Sequence, residues 1–304
     1  MHEETYEDRY TTPMERRYAR VLRAYRWPLK GFLRQARYIL LELRWRLGDE
    51  IMAIPVVENM VKAYPHDQVA LWCSYPEIFR HIEKLTLTDK PPREVDRYCL
   101  LRDASRRKPR FEDLALKVGL PVEEHSPSLP LKAKSIYIPI DFATLKTPVV
   151  ALAPATTWAN KHWPDSYWRQ LADLLRAKGV TTLEVGANHA PLGLGHDLVG
   201  KTDVLQLAHV LHNSDAVVSV DSGVMHLALA VDTPTVGLFG PTSPDYYVQP
   251  RPDFHPLESL DSCAGFWNKD RAVAEPGKCI LDHASCLESI PPQEVLDRVL
   301  AALP

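Results

Sequence analysis

At 304 residues, 45% apolar and 25% charged, the chain is long enough for about two domains with apolar cores, and its composition excludes a disordered or fibrous protein. No apolar run approaches the ~18–20 residues that span a bilayer, and the acidic, polar opening MHEETYEDRY lacks the apolar stretch of a secretory leader. Five cysteines, an odd number, suggest no disulfide scaffold and fit a reducing cytoplasm.

The net charge of −3 is unevenly spread: residues 9–41 hold nine Lys or Arg against one acid, Glu15. Within them, residues 14–35 interleave Arg with apolar residues at 18, 21, 22, 25, 29, 32 and 33, a helical spacing broken by Pro28. Two short basic amphipathic helices lying on the anionic inner face of a membrane fit this pattern; aromatics packed on the protein, with the arginines a solvated face, fit it equally. No nucleic-acid motif accompanies the charge, so no nucleic-acid partner is expected.

Tyr38–Leu43 reads as the first strand, Arg44–Asp49 as its exit loop, and Glu50–Tyr64 as a helix that tolerates Pro55 early. Strands are predicted at Val69–Cys73 and Tyr98–Leu101, then a basic loop (Arg102, Arg106, Arg107, Lys108, Arg110) and a short helix, Phe111–Val118. Residues 119–148, rich in Pro, Ser and Lys, read as an interdomain crossing with one strand, Ser135–Ile140. Beyond it come a strand at Val149–Ala153, a polar turn from Pro154 to Lys161, a helix capped by Asp165 that buries Trp168, Leu171, Leu174 and Leu175, and a strand at Thr181–Val185. A helix at Val204–Leu211 leads to the most regular unit of the chain. There a buried-strand run, Ala216–Val220, is broken by Asp221-Ser222-Gly223, followed by a helix over Val224–Val231 and a second run, Thr235–Phe239, ending in Gly240-Pro241-Thr242. In a doubly wound sheet both breaks fall at carboxyl ends of strands, where ligands bind, and the free N–H groups of a helix start suit an anion. Residues 243–290 read as irregular and Pro292–Leu303 as an amphipathic helix.

Lys161-His162-Trp163-Pro164, Asp221-Ser222-Gly223-Val224-Met225-His226-Leu227 and Leu238-Phe239-Gly240-Pro241-Thr242, with Gly48-Asp49 and Pro55 near the first strand, occur in an order that resembles glycosyltransferase family 9, the ADP-heptose:lipopolysaccharide heptosyltransferases. The resemblance is strong over 148–304 and thinner over 37–120. It implies an α/β protein of GT-B fold, two Rossmann-like domains facing across a cleft. The implied division is a basic extension (1–36), an acceptor-side domain (37–146), a nucleotide-sugar-binding domain (147–290) and a C-terminal helix (291–304). It further implies inverting transfer with no metal cofactor, from a nucleotide-diphosphate sugar such as ADP-heptose to a saccharide or lipid-linked acceptor such as lipopolysaccharide core. Consistent with that, no Asp-x-Asp occurs in the chain. A family member with a protein acceptor, or a non-catalytic nucleotide-sugar binder or membrane-associated assembly protein, are the competing readings.

Carried over by matching motif, Asp49 corresponds to the general base that takes the acceptor's hydroxyl proton, with a helix cap as its competing role. Thr156, Thr157 and Lys161 correspond to diphosphate contacts. Asp221, Ser222, Gly223 and His226 correspond to a second donor-binding cluster, with a buried structural histidine as the competing role of His226, and Thr242 to a further donor of lower weight. Reaction through an oxocarbenium-like transition state would place growing negative charge on the leaving diphosphate, where fixed donors act most strongly. Cys263, Cys279 and Cys286 lie where some relatives carry metal-binding cysteines, but their C-x15-C-x6-C spacing is wide for a tetrahedral site, so no metal is expected.

Overall fold

The computed structural model describes residues 37–92, 94–101, 110–119, 126–131, 136–187, 189–261, 264–269 and 286–303. Two wholly parallel sheets organise them. The first contains β1 (Tyr38–Leu43), β2 (Gln68–Cys73), β3 (Thr86–Thr88) and β4 (Arg97–Leu100) in the order β3-β2-β1-β4. Two helices, α1 (Leu47–Met52) and α2 (Ile54–Ala63), connect β1 to β2, and α3 (Arg110–Val118) follows β4.

The second sheet contains β5 (Val149–Ala153), β6 (Thr181–Glu184), β7 (His196–Asp197), β8 (Ala216–Val220), β9 (Thr235–Phe239) and β10 (Phe254–Glu258). Helix α4 (Asp165–Ala177) joins β5 to β6, α5 (Val204–His212) leads into β8, and α6 (Gly223–Ala230) joins β8 to β9. Shorter helices α7 (Pro244–Tyr247) and α8 (Phe266–Lys269) precede the terminal α9 (Pro292–Ala302). The order β10-β9-β8-β5-β6-β7 is the doubly wound arrangement, with its switch point between β5 and β8. The first sheet has the corresponding reversal at β1, which pairs with both β2 and β4.

Side-chain alternation along β5 explains why its whole run is apolar. Val149, Ala151 and Ala153 join the core shared with the first lobe, whereas Val150 and Leu152 face a second core containing Trp163, Trp168, Leu171, Val295 and Val299. Because α9 packs into that second core, it closes the back of the six-stranded sheet. Trp163 is fully buried there and its indole N–H donates to the Ile290 carbonyl at 3.0 Å, tying the turn after β5 to the segment before α9.

Several expectations need correction. The helix expected over Glu50–Tyr64 begins at Leu47 and divides at Ala53, which caps α1 and starts α2; Pro55 then sits in the first turn of α2, where its missing N–H costs nothing. Asp49 is therefore in the first turn of a helix, not in a loop. Pro164 holds the N-cap position of α4 and Asp165 is its first residue; Leu174 is half-buried, while Trp168, Leu171 and Leu175 are buried. Residues 136–140 form no strand. The span 243–290 includes α7, α8 and the edge strand β10, whose Pro256 is tolerated because an edge position needs no donor on its outer side. The basic extension 1–36, Arg102, Arg106, Arg107, Lys108, Cys263 and Cys279 lie outside the described residues. Among the described residues, no helix is long and apolar enough to cross a membrane, and no group of three or more His, Cys, Asp or Glu is placed to hold a metal ion.

Candidate active site

A cleft of about 1300 Å³ runs between the carboxyl ends of the two sheets. Asp49 from α1 lines it, as do Thr156, Thr157 and Lys161 after β5 and Asp221, Ser222, Gly223 and His226 after β8. Eight of the nine residues singled out from the sequence thus share one space. The ninth, Thr242, does not line the cleft: it is fully buried, and its hydroxyl donates to Asp221 Oδ2 at 2.7 Å.

Asp221 is the electrostatic centre. Lys161 Nζ lies 2.6 Å from its Oδ2, and His226 Nε2 lies 3.8 Å from its Oδ1. Burial opposes the charged carboxylate, but Lys161, His226 and the Thr242 hydroxyl outweigh it and hold the Asp221 carboxyl below its usual range. The same burial pushes the His226 imidazole down to about 4, only partly countered by Asp221, so His226 is neutral at pH 7 and offers one N–H donor. Lys161 also sits over the Trp158 ring, 4.3 Å from its centroid, and Trp158 meets Trp267 edge-on at 4.7 Å.

Helix α6 starts at this point. Ser222 has an extended backbone at the N-cap, but its side chain makes no capping bond and its Oγ instead lies 3.1 Å from Ser219 Oγ. The first N–H groups of an eight-residue helix therefore have no side-chain acceptor from the cap, and the residues at this helix start, Ser222, Gly223 and Val224, line the cleft. The other lobe closes on this helix through glycine. A Cβ added to Gly48 would lie 2.9 Å from His226 Cδ2 and 3.4 Å from Gly223 Cα, and one added to Gly223 would lie 3.2 Å from the Gly48 nitrogen.

Three residues that the sequence reading missed shape the cleft walls. Glu50 is fully buried; its Oε1 accepts the N–H groups of Trp45 (3.2 Å) and Ser74 (2.8 Å), and its Oε2 that of Tyr75 (2.9 Å). It thereby fixes the exits of β1 and β2, and burial raises its pKa against those hydrogen bonds. Glu184, at the end of β6, likewise accepts the N–H groups of Leu192, Gly193 and Leu194 at 2.7, 3.0 and 3.0 Å and folds back the loop that carries His189 to the cleft. Arg46, before α1, donates from Nη1 across the cleft to Thr157 Oγ1. A Glu at the end of a strand pattern, or directly after a candidate base, is the only trace of the first two in the sequence.

A doubly wound lobe with an anion-ready helix start at its switch point, facing a second parallel-sheet lobe across a shared cleft, is the GT-B arrangement of sugar transferases. The chain belongs to glycosyltransferase family 9 (heptosyltransferase), whose sequence profile matches residues 86–261. It is similar to lipopolysaccharide heptosyltransferase 1 of Pseudomonas aeruginosa, 38% identical over 108 residues, which are 33% of this chain and 30% of that protein. It is also similar to lipooligosaccharide heptosyltransferase 2 of Haemophilus ducreyi, 30% identical over 172 residues, 51% of this chain and 49% of that protein. The matched part thus spans about half the length of these curated relatives, or less. Among solved structures, the iron-containing dodecameric glycosyltransferase TibC of enterotoxigenic E. coli superposes with a TM-score of 0.74 at 16% identity, covering 89% of this chain and 76% of that one. The E. coli ADP-heptose lipopolysaccharide heptosyltransferase II does so with a TM-score of 0.57 at 16% identity, covering 87% and 98%. At such identities these likenesses bear on the fold alone.

Proposed function

We propose that this chain transfers a sugar, heptose or a relative, from a nucleotide-diphosphate donor such as ADP-heptose to a saccharide acceptor of the lipopolysaccharide-core kind, by an inverting, metal-independent displacement. In this reading 37–146 is the acceptor side and 147–290 the donor side. Asp49 takes the proton of the acceptor hydroxyl as its oxygen attacks the anomeric carbon. The bond from that carbon to the diphosphate breaks, and the electron pair leaves on the phosphate oxygen. Lys161, the Thr156 and Thr157 hydroxyls, the N–H groups at Ser222 and Gly223 and the neutral His226 are donors for that developing charge. Asp221 acts behind them by holding Lys161 in place. Thr242 acts one shell further back, through Asp221.

The observation that carries the reading is the meeting of Asp49 from one lobe with Lys161, Ser222, Gly223 and His226 from the other in a single cleft. The relatives named heptosyltransferases support the choice of sugar. The test is a thermal-shift panel of nucleotide sugars, followed by mass spectrometry of products from wild type and Asp49→Asn. Stabilisation by an ADP-sugar, with a glycosylated product that Asp49→Asn fails to make, is the expected result. Equal turnover in that variant removes Asp49 as the base, and the absence of any nucleotide-sugar shift removes the donor assignment.

The basic stretch 9–41 supports peripheral contact with an anionic membrane face. Flotation with anionic vesicles is expected to weaken when residues 1–36 are deleted; unchanged flotation refutes the contact.

A further inference from the structure

We propose that Arg46, supplied by the acceptor-side lobe, is a further catalytic residue that grips the donor's diphosphate from across the cleft. The inference rests on the donor reading above and adds a second cation to it. Among the described residues lining the cleft, the Lys and Arg side chains are Lys161 and Arg46. Lys161 is already paired: its Nζ lies 2.6 Å from Asp221 Oδ2, with only 12% and 6% of the two side chains exposed. That pair offsets its own charge, so the donor lobe brings hydroxyls and N–H dipoles to the diphosphate but little net positive charge. Arg46 is exposed to the cleft, and its Nη1 donates to the Thr157 hydroxyl, on the same loop that carries Lys161. That bond uses one of the five N–H donors of a guanidinium, whose planar fork matches phosphate oxygens.

Local structure argues that Arg46 is there for a purpose other than folding. It occupies the N-cap of α1, a position that favours Ser, Thr, Asp or Asn and disfavours a cation, and its side chain makes no capping bond. Yet its backbone is firmly held. The Arg46 carbonyl accepts the Glu50 N–H at 3.1 Å, while the buried Glu50 carboxylate accepts the N–H of neighbouring Trp45 at 3.2 Å. A fixed backbone with a charged side chain reaching the opposite lobe is the arrangement expected of a residue aimed at a ligand. Its landing point on Thr157 selects the donor over an acidic acceptor. As the bond to the anomeric carbon breaks and the electron pair passes to the diphosphate, the guanidinium meets the added charge, while the acceptor's proton goes to Asp49.

Calorimetric titration of the full chain with ADP and with AMP at one fixed salt concentration tests this, using wild type, Arg46→Ala and Arg46→Lys. Wild type is expected to prefer ADP. Arg46→Ala should lose roughly ten- to a hundredfold in ADP affinity and little for AMP, the range typical of charge-assisted hydrogen bonds, and Arg46→Lys should recover part of it. In turnover, Arg46→Ala should lower kcat more than it raises KM. An ADP preference that survives intact in Arg46→Ala overturns the role of Arg46 and leaves the donor reading standing. A wild type that binds neither nucleotide overturns the donor reading, and the role of Arg46 falls with it.

Discussion

Lys161 is expected to serve stability and turnover at once, and the structure allows the two to be separated. Replacing it by Met leaves Asp221, 6% exposed, without its cation at 2.6 Å. Breaking a buried ion pair from one side costs roughly 3–5 kcal/mol. Asp221 keeps the Thr242 hydrogen bond and can take up a proton, so the low end, about 3 kcal/mol, applies. For a chain of 304 residues that is a fall of about 5 °C in Tm. Adding Asp221→Asn removes the stranded charge, so the double variant should regain at least half of the loss. Activity should not follow: both variants lack the cation and should turn over roughly 10²–10³ times more slowly. The pH dependence has a definite sign. In wild type Asp221 is held below its ordinary 3.8, so its stabilisation is present above that value and is lost as acid carries the pH down through the native pKa. In Lys161→Met, burial acts without the cation and raises the carboxyl, so the deficit of that variant should shrink as pH falls. Differential scanning fluorimetry across pH, with turnover at pH 7, is the assay. A Lys161→Met protein melting within 2 °C of wild type, or a double variant no more stable than the single, refutes the reasoning.

Gly48→Ala should cost roughly 1–3 kcal/mol and weaken ADP binding, because its Cβ would meet the buried His226 ring at 2.9 Å; an unchanged Tm and ADP affinity would contradict the close approach of the lobes. His226 titrates near 4 when folded against 6.5 as its ordinary value, so the unfolded chain takes up a proton that the folded one resists. Stability should therefore fall as pH drops from about 6.5 toward 4, and His226→Gln should flatten Tm against pH across that window and leave its slope above it unchanged. Glu184→Gln replaces one acceptor oxygen by a donor where three N–H groups converge, and should cost roughly 2–4 kcal/mol. Hydrogen exchange at Leu192, Gly193 and Leu194 should then speed up; unaltered protection there would rule out the carboxylate as the anchor of that loop.

The strands were legible where they are buried on both faces. Tyr38–Leu43, Val149–Ala153, Ala216–Val220 and Thr235–Phe239 stand as apolar runs because parallel strands between helices have no wet side. Legibility failed at the margins. β10 reads FHPLE, with a proline and a charge, because an edge strand is spared both demands. Position 53 divides a helical pattern through backbone geometry alone, which the periodicity of the side chains does not report. At the site, the motifs that gather at the switch point were visible as breaks after strands. The pairing of Lys161 with Asp221, the withdrawal of Thr242 behind them, and the clamps made by Glu50 and Glu184 were not, since each joins residues distant in the chain or turns a charged side chain inward.

The contact of Gly48 with Gly223 limits how the two halves can diverge. At this crossing two main chains lie against each other with no volume to spare. A chimera that grafts a foreign first lobe onto this second lobe would have to keep both glycines and the pitch of both helices. Divergence between the lobes is thereby confined to the rim, and the pivot stays the same.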